Sequence, residues 1–226
     1  GAALRHDGEE GGREASGADA PLWGVWGARP DELWAVGGAG QADPPVMLRG
    51  DGEGGWAPVD VAAVSGESTA LFKVWGRSAA DVFAIGARGL ILHYDGASWR
   101  AEESRTTATL IGISGAADGS GDVVVAGGRS SGVVLRRRGG VWEPLHLPDQ
   151  PGFDGAWVDE DGVATVVGRD GFIGVFPPGT RAWVPEVSGV SDELHAVFGA
   201  PGGPVFAVGG RFEAAPYTGV ILRRVP

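Results

Sequence analysis

The amino-acid sequence predicts an all-β fold of four-stranded antiparallel blades, on three observations. Valine-, isoleucine- or alanine-glycine steps recur at Gly37, Gly86, Gly127, Gly168 and Gly209, spaced by 49, 41, 41 and 41 residues. A tryptophan follows at a nearly fixed distance in Trp56, Trp99, Trp142 and Trp183. Each period also carries several short β-branched or aromatic segments bounded by glycine, the composition of strands. A period near forty with several strands per period is the mark of a bladed β array, a β-propeller.

The second copy shows the elements most clearly. Leu71–Gly76 is the first strand, Asp81–Gly86 the second and Leu90–Tyr94 the third. After the Asp95-Gly96 turn, a strong hairpin signal because glycine accepts positive φ, Trp99 opens the fourth. First strands recur at Leu22–Gly27, Leu110–Gly115, Phe153–Val158 and Leu194–Gly199. Second strands recur at Leu33–Gly37, Val123–Gly127, Ala164–Gly168 and Val205–Gly209, and third strands at Val46–Arg49, Val133–Arg136, Phe172–Phe176 and Val220–Arg223. An additional third strand, Ala2–Gly8, and a weak fourth, Arg13–Ser16, stand at the N-terminal end. Residues 1–226 read as one domain with repeat units near 1–17 (partial), 18–66, 67–108, 109–150, 151–189 and 190–226.

The phase of the repeat predicts how the edges are managed. The first residues carry late strands and the last residues end after a third strand, so pairing the two would remove open edges. The count is five first, five second, six third and five fourth strands, one third strand more than a closed five-blade ring uses. A five-bladed ring is the leading expectation and a piece of a larger propeller the alternative.

Packing follows from matched slots. Trp34, Phe83 and Phe206 share one second-strand position with Val124 and Thr165, and the next position is always small: Ala35, Ala84, Val125, Val166 and Ala207. Blades stack face to face, so the recurring tryptophans are expected to pack blade against blade.

Bulk composition narrows the function. The 226 residues suffice for a substantial core, and 43% hydrophobic with 21% charged residues is an ordinary globular balance. A net charge of −11 opposes non-specific nucleic-acid binding and adsorption to anionic membranes. With no cysteine, thiolate chemistry, disulfides and cysteine metal sites are excluded. No apolar run approaches the roughly 18 residues a membrane-spanning helix needs.

The string Val74-Trp75-Gly76, Asp81–Gly86, Gly89–Gly96 and Trp99 resembles a repeat of predicted secreted bacterial β-propellers. It is more distantly similar to photosystem-II assembly-factor-type propellers and to Asp-box (BNR) repeats. The resemblance extends over nearly the whole chain and is strongest from Pro21 to Arg100. It implies a propeller fold, an extracytoplasmic location and a scaffold or interaction role. Asp95 stands four residues before Trp99, one fewer than an Asp box has, a departure from that pattern.

The search for chemistry is short. Gly112-Ile113-Ser114-Gly115-Ala116 lacks the closing glycine of a nucleophile elbow, and no glycine-lysine pair exists for a phosphate loop. His6, His93, His146 and His195 form no ligand spacing, and Asp159-Glu160-Asp161-Gly162 reads as a solvated turn, so neither metal nor cofactor is expected.

Two patterns point to binding. Arginines follow the second-strand glycine at Arg88, Arg129, Arg169 and Arg211, where superposed hairpins would form a cationic rim for carboxylate or phosphate groups. A parallel cationic series, Arg5, Arg49, His93, Arg136 and Arg223, reads as outer-strand side chains lying over the neighbouring tryptophan. The second-to-third connections are long only at Gly38–Pro45 and Gly210–Gly219, which nominates Asp43, Arg211, Phe212, Glu213 and Tyr217. The expected function is a non-catalytic binding or scaffold propeller for a protein or surface glycan, recognised through rim loops. The alternatives are a sialidase- or glycosidase-like hydrolase, with carboxyl groups 5 to 9 Å apart, and a structural repeat piece with no ligand of its own.

Overall fold

The computed structural model describes residues 2–6, 9–39, 44–66, 68, 70–116, 121–145, 147, 149–211 and 215–224. They fall into two compact units, Gly1–Glu102 and Glu103–Pro226.

The first unit opens with a two-stranded hairpin, β1 (Ala2–His6) and β2 (Gly11–Ala15). The first full blade is β3 (Leu22–Arg29), β4 (Glu32–Gly37), β5 (Val46–Gly50) and β6 (Trp56–Pro58), paired in sequence order. A single helical turn, α1 (Ala62–Ser65), leads to the second blade, β7 (Leu71–Ser78), β8 (Asp81–Gly86), β9 (Ile91–Tyr94) and β10 (Trp99–Glu102). The sequence gives no sign of α1; it starts on the Asp60 carboxylate accepting the Ala62 N–H at 2.9 Å.

The second unit holds two further four-stranded blades and one three-stranded blade. The third blade is β11 (Leu110–Gly115), β12 (Val123–Gly127), β13 (Val133–Arg138) and β14 (Val141–Leu145). The fourth is β15 (Phe153–Val158), β16 (Ala164–Gly168), β17 (Ile173–Phe176) and β18 (Val184–Glu186), and the fifth is β19 (Leu194–Gly199), β20 (Val205–Arg211) and β21 (Thr218–Arg224). The last hairpin runs further than the sequence suggests, because Gly210 and Arg211 pair with Gly219 and Thr218. The connection read as Gly210–Gly219 is shorter by those pairs.

The repeating glycines have one structural cause. Each stands opposite the first residue of its blade: Gly37 faces Leu22, Gly86 Leu71, Gly127 Leu110, Gly168 Phe153 and Gly209 Leu194, with the register shifting at the next step. A methyl at any of them would run into the carbonyl oxygen just before that first strand, on Pro21, Ala70, Thr109, Gly152 or Glu193. The residue after each glycine donates its N–H to the same carbonyl, at 2.8 to 3.1 Å. Every blade is thus closed by the same bulge, and only glycine leaves room for it.

Blades stack through small residues. Gly24 lies against the β7 backbone at Lys73, Gly112 against β15 at Ala156 and Gly155 against β19 at Ala196, where an added methyl would sit 2.9 to 3.0 Å away. Two residues on, Trp26 lies over Gly76 and Trp157 over Gly199. In the third blade Ser114 takes the tryptophan slot and binds the next blade differently, its hydroxyl accepting the Val158 N–H at 3.1 Å. The cores are correspondingly inter-blade. Trp34, Val36 and Met47 of the first blade pack with Val74, Val82, Ala84 and Leu92 of the second. Two further clusters join the third blade to the fourth and the fourth to the fifth. Trp99 meets Trp34 edge-on across blades at 5.1 Å, and Trp183 joins the cluster shared by blades three and four, as expected of the recurring tryptophans.

Arg49 and His93 lie over the second strand rather than over the fourth-strand tryptophan. Arg49 sits 5.6 Å above the Trp34 ring, its cross-strand partner, and the His93 ring stacks on Phe83 at 4.2 Å. The ring nitrogens of His93 contact Asp81 (2.7 Å) and Glu102 (3.0 Å). Arg136 is buried and crosses to the next blade, donating to the carbonyls of Pro177 (3.1 Å) and Thr180 (2.8 Å) while pairing with Asp122 at 3.4 Å. The cation is a staple between blades.

Candidate functional site

In the first unit a groove of about 590 Å³ opens between the β1–β2 hairpin and the first blade. Its walls include Leu4, Trp23, Val25, Leu33, Ala35 and Trp56. Strand alternation produces this face: Trp34 and Val36 turn toward the second blade, so Leu33 and Ala35 turn the other way. Three of these apolar side chains are open to solvent, Leu4 at 84%, Val25 at 69% and Trp23 at 56%. Their counterparts in the second blade are covered; Val74, in the slot of Val25, is 3% exposed. The hairpin is tied to the blade by Trp56, whose indole N–H donates to Glu14 at 3.2 Å, and Trp23 is held by its N–H to the Gly38 carbonyl at 3.1 Å. The trough is therefore apolar along one wall, with two indoles held in place by hydrogen bonds.

In the second unit Asp154 on β15, Glu193 and His195 at the start of β19, and Arg169 form a polar cluster. One oxygen of each carboxylate and one His195 nitrogen lie within 4.8 Å of one another. Arg169 Nε is 3.2 Å from Glu193. Burial, the charge of Glu193 and a hydrogen bond to it push Asp154 up to about 6, with His195 and Arg169 pulling the other way. This is the three-donor group among the described residues suited by type to a divalent ion, although a guanidinium already balances Glu193. The two carboxyl groups stand as a close pair, one oxygen of each within 4.8 Å of the other.

Arg88, Arg129, Arg169 and Arg211 are all exposed; three of them stand two residues past the marker glycine and Arg169 stands one past it. Arg169 follows its marker glycine directly, whereas Arg88 is two residues past Gly86 in a left-handed conformation (φ 57°) whose match in the fourth blade is Asp170 (φ 55°). Arg211 lies in β20. Tyr217 is exposed beside β21. Asp43, Phe212 and Glu213 lie outside the described residues.

Sequence reading passed over both features just described. The second residue of each first strand is Trp23, Phe72, Ile111, Asp154 and His195, so two polar exceptions in adjacent blades of an apolar slot marked the cluster. The groove had a fainter signal, because its residues are ordinary blade residues.

The architecture is that of a β-propeller, all β with antiparallel blades. YCF48 bound to D1 peptide superposes with a TM-score of 0.68, over 92% of this chain and 68% of that one, at 18% identity. Virginiamycin B lyase from Staphylococcus aureus gives 0.70 over 92% of this chain and 72% of that one, at 10% identity. At such identities the likeness is one of fold, and this fold serves binders and enzymes alike. Among curated proteins, Immune protein Tsi7 of Pseudomonas aeruginosa is 35% identical over 123 residues, 53% of this chain. The match spans 36% of Tsi7, so the chain corresponds to about a third of that relative's length. No protein-family model matches the chain.

Proposed function

We propose that this propeller is a non-catalytic protein-binding module that holds a polypeptide segment in the groove of the first unit. The carrying observation is the exposure of Leu4, Val25 and Trp23 along one continuous trough. The YCF48 propeller bound to D1 peptide supports the reading by analogy of fold, since it presents a peptide ligand on the same architecture. Recognition by the groove takes the place of the rim loops in this reading, with the exposed hairpin arginines as auxiliary contacts for acidic partners. The extracytoplasmic placement rests on the repeat resemblance.

The test is selection from a displayed library of extended peptides against the intact chain, followed by counter-selection on Trp23→Ala and Val25→Asp. Ligands that bind the parent and lose at least tenfold affinity on both variants support the groove. Ligands indifferent to both substitutions, or no ligands at all, count against it.

A further inference from the structure

We propose that Asp154, Glu193 and His195 form a site for one divalent transition-metal ion of the zinc type, which clamps the fourth blade to the fifth. The site lies apart from the groove, and its test is independent of the protein-binding reading.

The local structure begins with two bulges. The pairing of β15 with β16 shifts register between Phe153 and Gly155, and that of β19 with β20 between Leu194 and Ala196. Asp154 and His195 are the extra residues of these equivalent bulges, and a bulge re-aims the side chain it carries. In the three earlier blades the same position holds Trp23, Phe72 and Ile111. Stacking of Gly155 on the backbone at Ala196 brings the two bulges side by side. The flanking backbone is fixed as well. Glu193 precedes β19 and its carbonyl accepts the Gly210 N–H at 2.9 Å, while the Arg169 N–H donates to the Gly152 carbonyl at 3.0 Å. The donors stand on a strand framework and not on a free loop.

Their geometry suits one ion. An oxygen of each carboxylate and a ring nitrogen of His195 lie within 4.8 Å of one another. Donors about 2.0–2.2 Å from a shared zinc ion stand at most about 4.4 Å apart, so small side-chain rotations close the set. Glu193 divides its two oxygens: one is 3.2 Å from Arg169 Nε, the other 3.9 Å from His195 Nε2. Arg169 holds the first oxygen and orients the carboxylate, as outer partners of metal ligands do, and the second oxygen is left to face the ion.

A separate observation calls for a cation. Asp154 Oδ2 is buried and has no hydrogen-bond partner among the described residues. A buried carboxylate oxygen without a donor is costly, and a cation beside it offsets that cost. The imidazole selects the ion class. Sets made only of oxygens suit calcium and magnesium, whereas a ring nitrogen joined to two carboxylates suits zinc.

The experiment strips the intact chain with a chelator, dialyses it and titrates it with zinc chloride by calorimetry. Cobalt chloride, read by visible absorption, reports the coordination directly. Expected results are one ion per chain and affinity weakened at least tenfold by Glu193→Gln and by His195→Ala. Glu160→Gln, an exposed acid in the turn after β15, should leave binding unchanged. Zinc should also raise the melting temperature of the parent and not that of His195→Ala. The His195 side chain is 41% exposed, so its removal is compatible with folding, and circular dichroism of the metal-free variant checks this. Equal zinc uptake by the parent and both ligand variants places the ion elsewhere and overturns the proposal. No uptake by the parent overturns it in favour of an ion-pair network centred on Arg169. Calcium binding without zinc binding overturns the ion class.

Discussion

The indole of Trp26 lies on the bare α-carbon of Gly76, so close that a methyl added to Gly76 would stand 2.7 Å from the ring. The same relationship joins Trp157 to Gly199 one unit away in sequence. A large residue on one blade and an empty position on the next form a matched pair, and the pair sets the distance between sheets.

Gly76→Ala is therefore expected to destabilise the protein by about 2 kcal/mol through overpacking. Gly12→Ala, on β2 where nothing lies within 4 Å of the added carbon, is expected to change stability by no more than about 0.5 kcal/mol. Urea unfolding of the two variants beside the parent checks the contrast.

Arg136 is 4% exposed and its guanidinium serves carbonyls of the next blade's turn together with Asp122. Arg136→Met keeps the stem but strands the Pro177 and Thr180 carbonyls, a loss of about 2–4 kcal/mol. Asp122 retains Arg138 at 2.8 Å, so Asp122 is not left alone in that variant. Arg136→Lys, a point charge in place of a fork, should recover less than half the loss. Thermal unfolding of both variants measures it.

Asp154 titrates at about 6 in the folded chain against an ordinary 3.8. The folded state thus holds a proton that the unfolded state releases between about pH 4 and pH 6, and stability falls as pH rises through that window. Asp154→Asn keeps a hydrogen-bond donor toward Glu193 and carries no charge. Its melting temperature relative to the parent should rise by about 2–4 °C between pH 4 and pH 7, the shift expected of roughly 1 kcal/mol in a domain of this size. A difference that does not vary with pH would remove the carboxyl pair from the account.

The blades were legible because their constraints are local and repeated. Gly86 recurs as Gly37, Gly127, Gly168 and Gly209 since the same bulge carbonyl excludes a side chain five times over. The short turn α1 was not legible, as Val61-Ala62-Ala63-Val64 carries no capping pair or periodic face to announce it. The arginine rim illustrates the opposite hazard. Arg88 and Arg169 look alike in sequence, but a one-residue offset in a tight hairpin gives them different backbone conformations. Asp154 and His195 were visible as polar intrusions, yet their meeting depends on two blades stacking with first strands side by side. The groove is the least legible of all, because Trp23 and Val25 are written like buried residues and yet are exposed.

The most direct measurement places a photo-reactive benzoylphenylalanine at position 25 and, in a separate protein, at position 187, which is also apolar and 98% exposed but stands outside the groove. Each is irradiated with a peptide selected on the parent chain. The account predicts a crosslinked product at position 25 and none at position 187. Equal crosslinking at both, or crosslinking only at 187, would contradict the groove as the place where this propeller holds its partner.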